Sequence, residues 1–385
     1  MRRKRLVVGT GLALCASAAV TATVVAVLAP ANAAAQAVHT FALGTRPWAV
    51  TVDARSGRAL VIDRVTDASG MPTGVGTLST VDITAGSVVR SVPVGPDPRA
   101  VMVDGRAGRI FVADDDDASL RVLDSGSGAM LRSIAVGARP HAVAADERTG
   151  RLFVVNTGGG SVSMLDERRG AVLRTTTVAT SWDSAGLAVD AARNRVYVGG
   201  PHTVSVLDAR DGRMVQRIDV GGNVGGLTVD PRSGQLYVTG DTTLRVVDGP
   251  SGHVLRAVPF VNTAGPSGAT GAVAVDPARG RVFVTQAAPV DDNGVAAGAG
   301  WVNVLDAGSG ALLRRVSVGV NPAAVAVDGR TGRVVVVNAG GAVLRPDPWA
   351  WMPAWLRQHV PFLPSQSMAP RTVTGSMSVV EPAAR

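Results

Sequence analysis

One short pattern recurs along the whole chain: an apolar run that ends in Asp, a tight turn, and a second apolar run. The segment DERTGRLFVVN at 146–156 returns almost unchanged as DGRTGRVVVVN at 328–338. Aligned on their first Asp, seven copies begin at Asp53, Asp104, Asp146, Asp190, Asp230, Asp276 and Asp328. Their spacing of 40 to 52 residues is typical of a four-stranded propeller blade.

Each copy contains four short strand patterns, A to D, as the third copy illustrates. Strand A is small and apolar (AVAAD, 142–146), and strand B is β-branched and aromatic (LFVVN, 152–156). Strand C has similar composition (SVSMLD, 161–166), whereas strand D alternates in polarity (VLRTTTV, 172–178). Small residues suit the crowded inner rim of a blade, and alternation suits a half-exposed outer strand. The sequence predicts an all-β fold, a seven-bladed β-propeller of four-stranded blades.

The seventh copy ends at 376–380 without a strand D, and the missing strand has a counterpart near the N-terminus. The segment HTFALG at 39–44 matches the end of strand D in the other copies. We expect this N-terminal strand to complete the last blade, because a closed ring leaves no unpaired sheet edge. The predicted domain covers 39–385, with an insertion at 341–374 in blade 7.

The first 33 residues have the pattern of an export signal. Four basic residues at 2–5 precede an apolar run at 6–28, and the Ala-Asn-Ala of 31–33 fits a signal peptidase site. We expect cleavage and a secreted or extracytoplasmic protein; an uncleaved membrane anchor is the competing interpretation. Without this segment, 34 basic and 30 acidic residues remain, a formal net charge of +4, and no Cys is left for disulfides.

A family resemblance follows from these repeats. The strand B motif Phe153-Val154-Val155-Asn156, between strands of the VAVD and SVSVLD kinds, resembles the YVTN-repeat β-propeller family over 39–385. Other copies lack the Asn, for example VYVGG at 196–200 and VFVTQ at 282–286. The resemblance implies an extracytoplasmic or surface protein, often without a defined activity. Some relatives are linked to nucleic-acid binding, and similarly built propellers include lactonases and antibiotic lyases.

Many of the carboxylates have a predicted structural role. The Asp that ends strand A recurs in all seven copies, and an Asp ends strand C in six: Asp82, Asp124, Asp166, Asp208, Asp248 and Asp306. Asp side chains before tight turns accept hydrogen bonds from the turn N–H groups. Because every blade needs this residue, we assign these thirteen to turns and not to catalysis.

The position just before strand A differs between the copies. Blades 1 to 3 carry Trp48, Arg99 and His141 there, and the small residues of the other blades are Ala185, Gly225, Gly271 and Ala323. An aromatic ring, a guanidinium and an imidazole at one rim could hold an anionic or planar ligand. These three residues are therefore candidate ligand-binding residues; the alternative is unselected variation among loop residues.

Three B–C connections are long: 64–76, 286–300 and 340–375. They belong to neighbouring blades of a closed ring, so we expect them on the same side of one face, where long loops often carry function. The last one contains Trp349, Trp351 and Trp355, which are also candidate ligand-binding residues. Three interpretations remain open: a hydrophobic lid, a platform for a partner or ligand, and an interfacial contact with a membrane.

Signals for a metal or cofactor are weak, and we predict neither. The run Asp114, Asp115, Asp116 and Asp117 is a weak calcium candidate, although acidic runs without further ligands are usually solvated. The five His show no metal-ligand spacing. The Arg residues are spread over the copies without a basic run, which disfavours nucleic acid.

The leading functional hypothesis is an exported, monomeric binding or scaffold protein. It would recognise an extracellular or envelope protein, or a small ligand, through the loops of blades 6, 7 and 1. An extracytoplasmic enzyme of the lyase or lactonase type is the alternative, although the sequence favours a protein without catalysis. A nucleic-acid-binding propeller is the second alternative, and contact with a membrane is expected only through an uncleaved N-terminal segment.

Overall fold

Seven four-stranded antiparallel sheets form a closed ring in the computed structural model of this protein. The described residues are 38–67, 71–180, 186–240, 243–259, 271–290, 295–343 and 371–382. This part of the chain contains no helix, and hence none that is long and apolar enough to cross a membrane. The predicted export signal at 1–33 and the three tryptophans of the blade 7 insertion lie outside it.

Within each blade the strands follow one another from the inside of the ring outward. In blades 1 to 4 they are β2 (Pro47–Asp53), β3 (Arg58–Asp63), β4 (Gly76–Asp82), β5 (Ser87–Gly95); β6 (Pro98–Asp104), β7 (Arg109–Asp114), β8 (Ser119–Asp124), β9 (Met130–Ala135); β10 (Pro140–Asp146), β11 (Arg151–Asn156), β12 (Ser161–Asp166), β13 (Ala171–Thr177); and β14 (Leu187–Asp190), β15 (Arg195–Gly199), β16 (Thr203–Asp208), β17 (Met214–Asp219).

Blades 5 and 6 repeat this order, and blade 7 takes its outer strand from the N-terminal end. Their strands are β18 (Gly226–Val229), β19 (Gln235–Gly240), β20 (Thr243–Asp248), β21 (Val254–Pro259); β22 (Val273–Asp276), β23 (Arg281–Gln286), β24 (Trp301–Asp306), β25 (Leu312–Ser317); and β26 (Pro322–Val327), β27 (Val334–Asn338), β30 (Ser376–Val380), β1 (Val38–Ala42). A small hairpin, β28 (Gly341–Val343) and β29 (Arg371–Val373), interrupts blade 7.

The predicted closure of the ring by its two ends is confirmed. Strand β1 pairs antiparallel with β30, with Thr40 opposite Ser378 and Phe41 opposite Met377. The hydroxyl oxygens of Thr40 and Ser378 are 3.0 Å apart. Phe41 packs on a buried apolar cluster that contains Met377 and also residues of blade 1. The seven-bladed fold and its N-terminal final strand therefore agree with the sequence prediction.

The core lies between neighbouring blades, where the faces of adjacent sheets meet. Between blades 3 and 4, for example, Phe153 and Val155 pack with Val196 and Val198, all of them buried. The β-branched and aromatic residues of strands B and C fill these layers, as their composition predicts. Strand A is more open: in β2 every residue after Pro47 is only half-buried. The inner strands thus line a central channel.

The thirteen turn carboxylates behave as predicted. Each accepts at least one backbone N–H of the turn that follows it, as Asp53 does from Arg55 at 2.9 Å. We call the face with the A–B and C–D turns the lower face, and the face with the B–C and D–A connections the upper face.

On the lower face, arginines link successive blades. The side chain of an A–B turn arginine donates to a backbone carbonyl in the A–B turn of the next blade. Examples are Arg55 to Gly105 at 3.1 Å and Arg232 to Pro277 at 2.9 Å. Arg148, Arg193 and Arg279 make the same kind of contact. The arginines spread along the sequence therefore act largely as inter-blade links.

Candidate functional site

The three rim residues of blades 1 to 3 project from β-bulges. Strand A begins earlier than predicted in these blades, so Trp48, Arg99 and His141 lie inside β2, β6 and β10 and not before them. None of the three has a partner residue on strand B. The pairing passes directly from Pro47 to Ala49 in blade 1, and it shifts at the equivalent positions in blades 2 and 3. A bulge adds one residue to a strand and re-aims its side chain.

At the equivalent positions, the described residues of the other blades are small: Gly225, Gly271 and Ala323. Blade 7 has the same bulge, but its extra residue is Ala323. The inner strands of blades 4 to 6 start later and have no bulge. In blades 5 and 6 the backbones approach closely, since the Thr239 hydroxyl is 2.5 Å from the carbonyl oxygen of Gly271. A Cβ on Gly271 would lie 2.1 Å from the carbonyl oxygen of Thr285. The rim is therefore asymmetric for steric reasons.

A buried carboxylate joins two arginines at the mouth. Asp97, in the D–A connection before blade 2, is 2% exposed. One of its oxygens accepts Arg64 Nε at 2.6 Å, and the other accepts Arg99 Nε at 2.9 Å. A terminal nitrogen of each guanidinium also lies within 2.7 Å of the carboxylate. Charge-assisted contacts between a guanidinium group and a carboxylate are among the strongest hydrogen bonds in proteins.

The charges continue into blade 3 through a second carboxylate. Asp115 lies 3.4 Å from Arg99 Nη2 and 3.3 Å from Arg139 Nε. Together the five side chains form an alternating network across three blades, which we call the mouth network: Arg64, Asp97, Arg99, Asp115 and Arg139. The arginine side chains become more exposed along it, from 4% at Arg64 to 17% at Arg99 and 39% at Arg139. Among these five side chains, three are guanidinium groups and two are carboxylates.

Trp48 lies against this network. Its ring centroid is 4.9 Å from Arg64 Cζ and 6.0 Å from Arg99 Cζ, distances at which a cation is attracted to the face of an aromatic ring. The indole is half-buried. It therefore orients both guanidinium groups and still offers an apolar edge at the mouth.

His141 completes the rim beside the exposed end of the network. The pKa of His141 is lowered to about 4, mainly by burial and also by the positive charge of Arg99, while Asp115 opposes the shift. The half-buried imidazole is thus neutral at physiological pH. It has no hydrogen-bond partner among the residues that the structure describes, so its ring nitrogens are available to a ligand.

The four aspartates of the run, the weak calcium candidate, have different surroundings. Asp115 belongs to the mouth network, and Asp116 is exposed. Asp114 is fully buried, 3.5 Å from Arg121 Nε, and Asp117 pairs with the same arginine. Burial also raises the pKa of Asp114. Over the described ranges, no group of three or more His, Cys, Asp or Glu side chains is arranged to hold a metal ion.

The long connections of blades 6 and 7 meet on the upper face. The N–H of Ala296 donates to the carbonyl oxygen of Ala342 at 2.9 Å. Ala296, Val320 and Val343 form a small buried apolar cluster there. The hairpin of β28 and β29 is part of this contact, whereas the three tryptophans of the insertion lie outside the described residues.

The sequence identified Trp48, Arg99 and His141 but missed the four other members of the mouth network: Arg64, Asp97, Asp115 and Arg139. A usable signal exists for them. The bulged residue is preceded by Pro in blades 1, 2, 3 and 7, and the residue before that Pro is Arg46, Asp97, Arg139 or Asn321. Its backbone carbonyl accepts the N–H of the residue after strand B, as Asp97 does from Asp115 at 2.9 Å. These two positions supply the missing side chains.

The closed ring and its asymmetric mouth place this chain in the class of seven-bladed β-propellers. Among solved structures it is similar to a chain of the hydrazine synthase of Kuenenia stuttgartiensis, with a TM-score of 0.61 and 15% sequence identity. The alignment covers 78% of this chain and 95% of that chain. At this identity the similarity shows the common fold alone. No family model matches the sequence, and no curated protein matches it significantly.

Proposed function

We propose that this chain is an exported β-propeller of the YVTN-repeat type that acts as a binding module. Its ligand is a small molecule that carries a carboxylate or phosphate group. The ligand lies at the upper mouth, beside blades 1 to 3, with the joined insertions of blades 6 and 7 on the same face.

The excess of arginine in the mouth network carries this proposal. Arg64 binds one oxygen of Asp97 and Arg99 binds the other, while Arg139 contacts Asp115. The five side chains carry one more positive than negative charge, and Arg139 is their most exposed cation. Guanidinium groups bind pairs of oxyanion oxygens through paired N–H donors, so a carboxylate or phosphate is the matching ligand group.

Trp48 and His141 add selectivity to this site. The indole edge offers apolar contact, and the neutral imidazole can donate or accept one hydrogen bond without adding charge. An organic anion with an apolar body therefore fits better than a bare inorganic ion. A partner protein could present the same groups through an acidic side chain.

One observation bears on the alternative of a lyase or lactonase. The same mouth brings Arg99 and Asp115 close enough to His141 to influence its protonation, which is an arrangement that enzymes use. However, an imidazole with a pKa of about 4 is a weak base at neutral pH and carries no proton to give as an acid. The site therefore favours binding over acid–base catalysis.

Calorimetric titration with succinate, citrate and benzoate tests the proposal. We expect at least one of them to bind the wild-type chain. The variant Arg139→Met should weaken binding roughly tenfold, or about 1.4 kcal/mol, because it removes the most exposed cation of the network. Arg99→Met should weaken it further.

Arg213→Met is the matched control, since Arg213 is an exposed arginine in a C–D turn on the lower face. It should leave binding unchanged. Failure of all three anions to bind, or equal binding by the wild type and both mouth variants, would refute the proposed site. Conversion of a bound anion into product would support the enzyme alternative.

A further inference from the structure

Glu167 is a buried acid in the joint between blades 2 and 3, on the lower face and far from the mouth network. It begins the C–D turn of blade 3 and is 3% exposed. Its N–H donates to the carbonyl oxygen of Gly150 at 2.9 Å. The equivalent residue makes the same backbone bond in four other blades but is never ionisable: Ser125, Ala209, Gly249 and Ala307. The acid is therefore not required by the turn.

The carboxyl group of Glu167 has few neighbours that would stabilise its ionised form. Its Oε1 is buried and accepts no hydrogen bond within the described residues. Arg109 Nη1 lies 3.7 Å from that oxygen and instead donates to the backbone carbonyl of Glu167 at 3.1 Å. Arg132 from the outer strand of blade 2 donates to the same carbonyl. Both nearby cations are thus directed to the backbone.

Another acid, Asp104 at the end of the inner strand of blade 2, lies within hydrogen-bond reach of this carboxyl. Asp104 is 2% exposed, and its Oδ1 accepts the N–H groups of Arg106 at 2.7 Å and Ala107 at 2.8 Å. These donors stabilise Asp104 as an anion. Two carboxylates in contact repel each other strongly in a buried site, so a proton between them belongs on Glu167.

We propose that Glu167 is held as a neutral carboxyl that donates a hydrogen bond to Asp104 across the joint of blades 2 and 3, and that its ionisation loosens this joint. Ionisation releases the proton to solvent and leaves two adjacent negative charges between the blades. Glu147, which lines a cavity of about 520 Å³ at the lower mouth, adds a third carboxylate nearby. The joint is therefore weaker in alkaline than in mildly acidic surroundings.

The electrostatics agree with this geometry. The pKa of Glu167 is raised to about 7, mainly by burial and also by the negative charge of Asp104, while Arg109 opposes the shift. Because the folded pKa exceeds the unfolded value of about 4.5, the folded state binds the additional proton between these values. The free energy of unfolding should consequently fall as the pH rises from about 4.5 to about 7, and then level off.

The variant Glu167→Gln isolates this effect, because glutamine donates the same hydrogen bond at every pH. We expect its melting temperature to exceed that of the wild type increasingly from pH 5 to pH 8. Other titrating groups cancel in the difference. Glu381→Gln is the control: Glu381 is paired with Arg333 at 2.9 Å in blade 7, and its variant should show no such growing advantage.

A second variant protects the test against a folding failure. Glu167→Ala introduces the residue that blades 4 and 6 already carry at this place, Ala209 and Ala307. The infrared carbonyl band of a protonated carboxyl should be present in the wild type at pH 6 and weaker in both Glu167 variants. A constant difference in melting temperature across the pH range, or an unchanged band, would overturn the proposal.

Discussion

Arg64 lies 2.6 Å from Asp97, and this pair joins blade 1 to blade 2 with side chains that are only 4% and 2% exposed. Removing two charges from water is costly, and the cost is recovered only with close geometry and further hydrogen bonds. Asp97 meets both conditions because Arg99 binds its second oxygen. The Arg64–Asp97 pair is therefore the buried, well-ordered end of the mouth network, and it positions the more exposed residues of that network.

We expect Asp97→Asn to destabilise the protein by about 3 kcal/mol, because it leaves the buried guanidinium of Arg64 without a counter-charge. Urea denaturation followed by circular dichroism measures this loss. Asp211→Asn is the matched control, since Asp211 is an exposed partner of Arg213 and the change should cost under about 1 kcal/mol. Equal losses in the two variants would mean that the Arg64–Asp97 pair does not hold blades 1 and 2 together.

The pKa of His141, about 4, gives a pH-dependent prediction. Since this folded value lies below the usual 6.5, the folded state resists protonation, and stability is lost as the pH falls from about 6.5 through 4. His141→Gln should remove that part of the acid sensitivity. Proton NMR of the imidazole should show no titration of His141 between pH 5.5 and 8. A midpoint within that range would contradict the neutral imidazole at the rim.

Replacing residues 344–370 with Asn-Gly should leave the ring folded. The hairpin partners Val343 and Arg371 lie directly opposite each other, and Asn-Gly suits a two-residue hairpin turn. Strands β27 and β30 pair outside this segment. The β-sheet circular dichroism and melting temperature should be retained while three tryptophans are lost. Collapse of the sheet signal would show that the insertion is part of the ring.

Deleting residues 38–43 should open the ring, because β30 then becomes an exposed edge strand. We expect a lower melting temperature and self-association through that edge, measured by light scattering. Adding a synthetic peptide of residues 38–45 should restore the monomer. A peptide with Phe41 replaced by Asp is the control, since Phe41 packs on a buried cluster and the change should prevent rescue.

The fold could be predicted from sequence because the blades repeat the same local sequence pattern. The small residues and final Asp of strand A recur in seven copies, and the Asp of strand C and the alternating polarity of strand D recur in six. An irregular copy can therefore be interpreted from the others. The closure by β1 was also predictable, because the segment at 39–44 matches the outer strands. The predicted start of strand A was wrong: in blade 1 the strand begins at Pro47 and not after Trp48. A bulge adds one residue to the strand, and the periodicity of the sequence does not reveal it.

The site was only half predictable for a different reason. Trp48, Arg99 and His141 differ from small residues at aligned positions, and comparison of the copies exposes them. Asp97 and Asp115 do not stand out, because acids are common in turns, and Asp115 was hidden in a run that suggested calcium. Their role depends on which arginine of a neighbouring blade reaches them. Sequence order does not give that distance.

The pairing of Thr40 with Ser378 spans 338 positions. Strand β1 is therefore synthesised first but has no partner until β30, the last strand, has been made. Until then, a nascent chain has six complete sheets and one incomplete sheet, whose edge exposes unpaired backbone N–H and C=O groups. Premature termination before Ser376 yields a product in which β1 has no partner strand and β27 is an exposed edge. Proteases and chaperones could thereby distinguish a truncated translation product from a complete one by a single exposed strand.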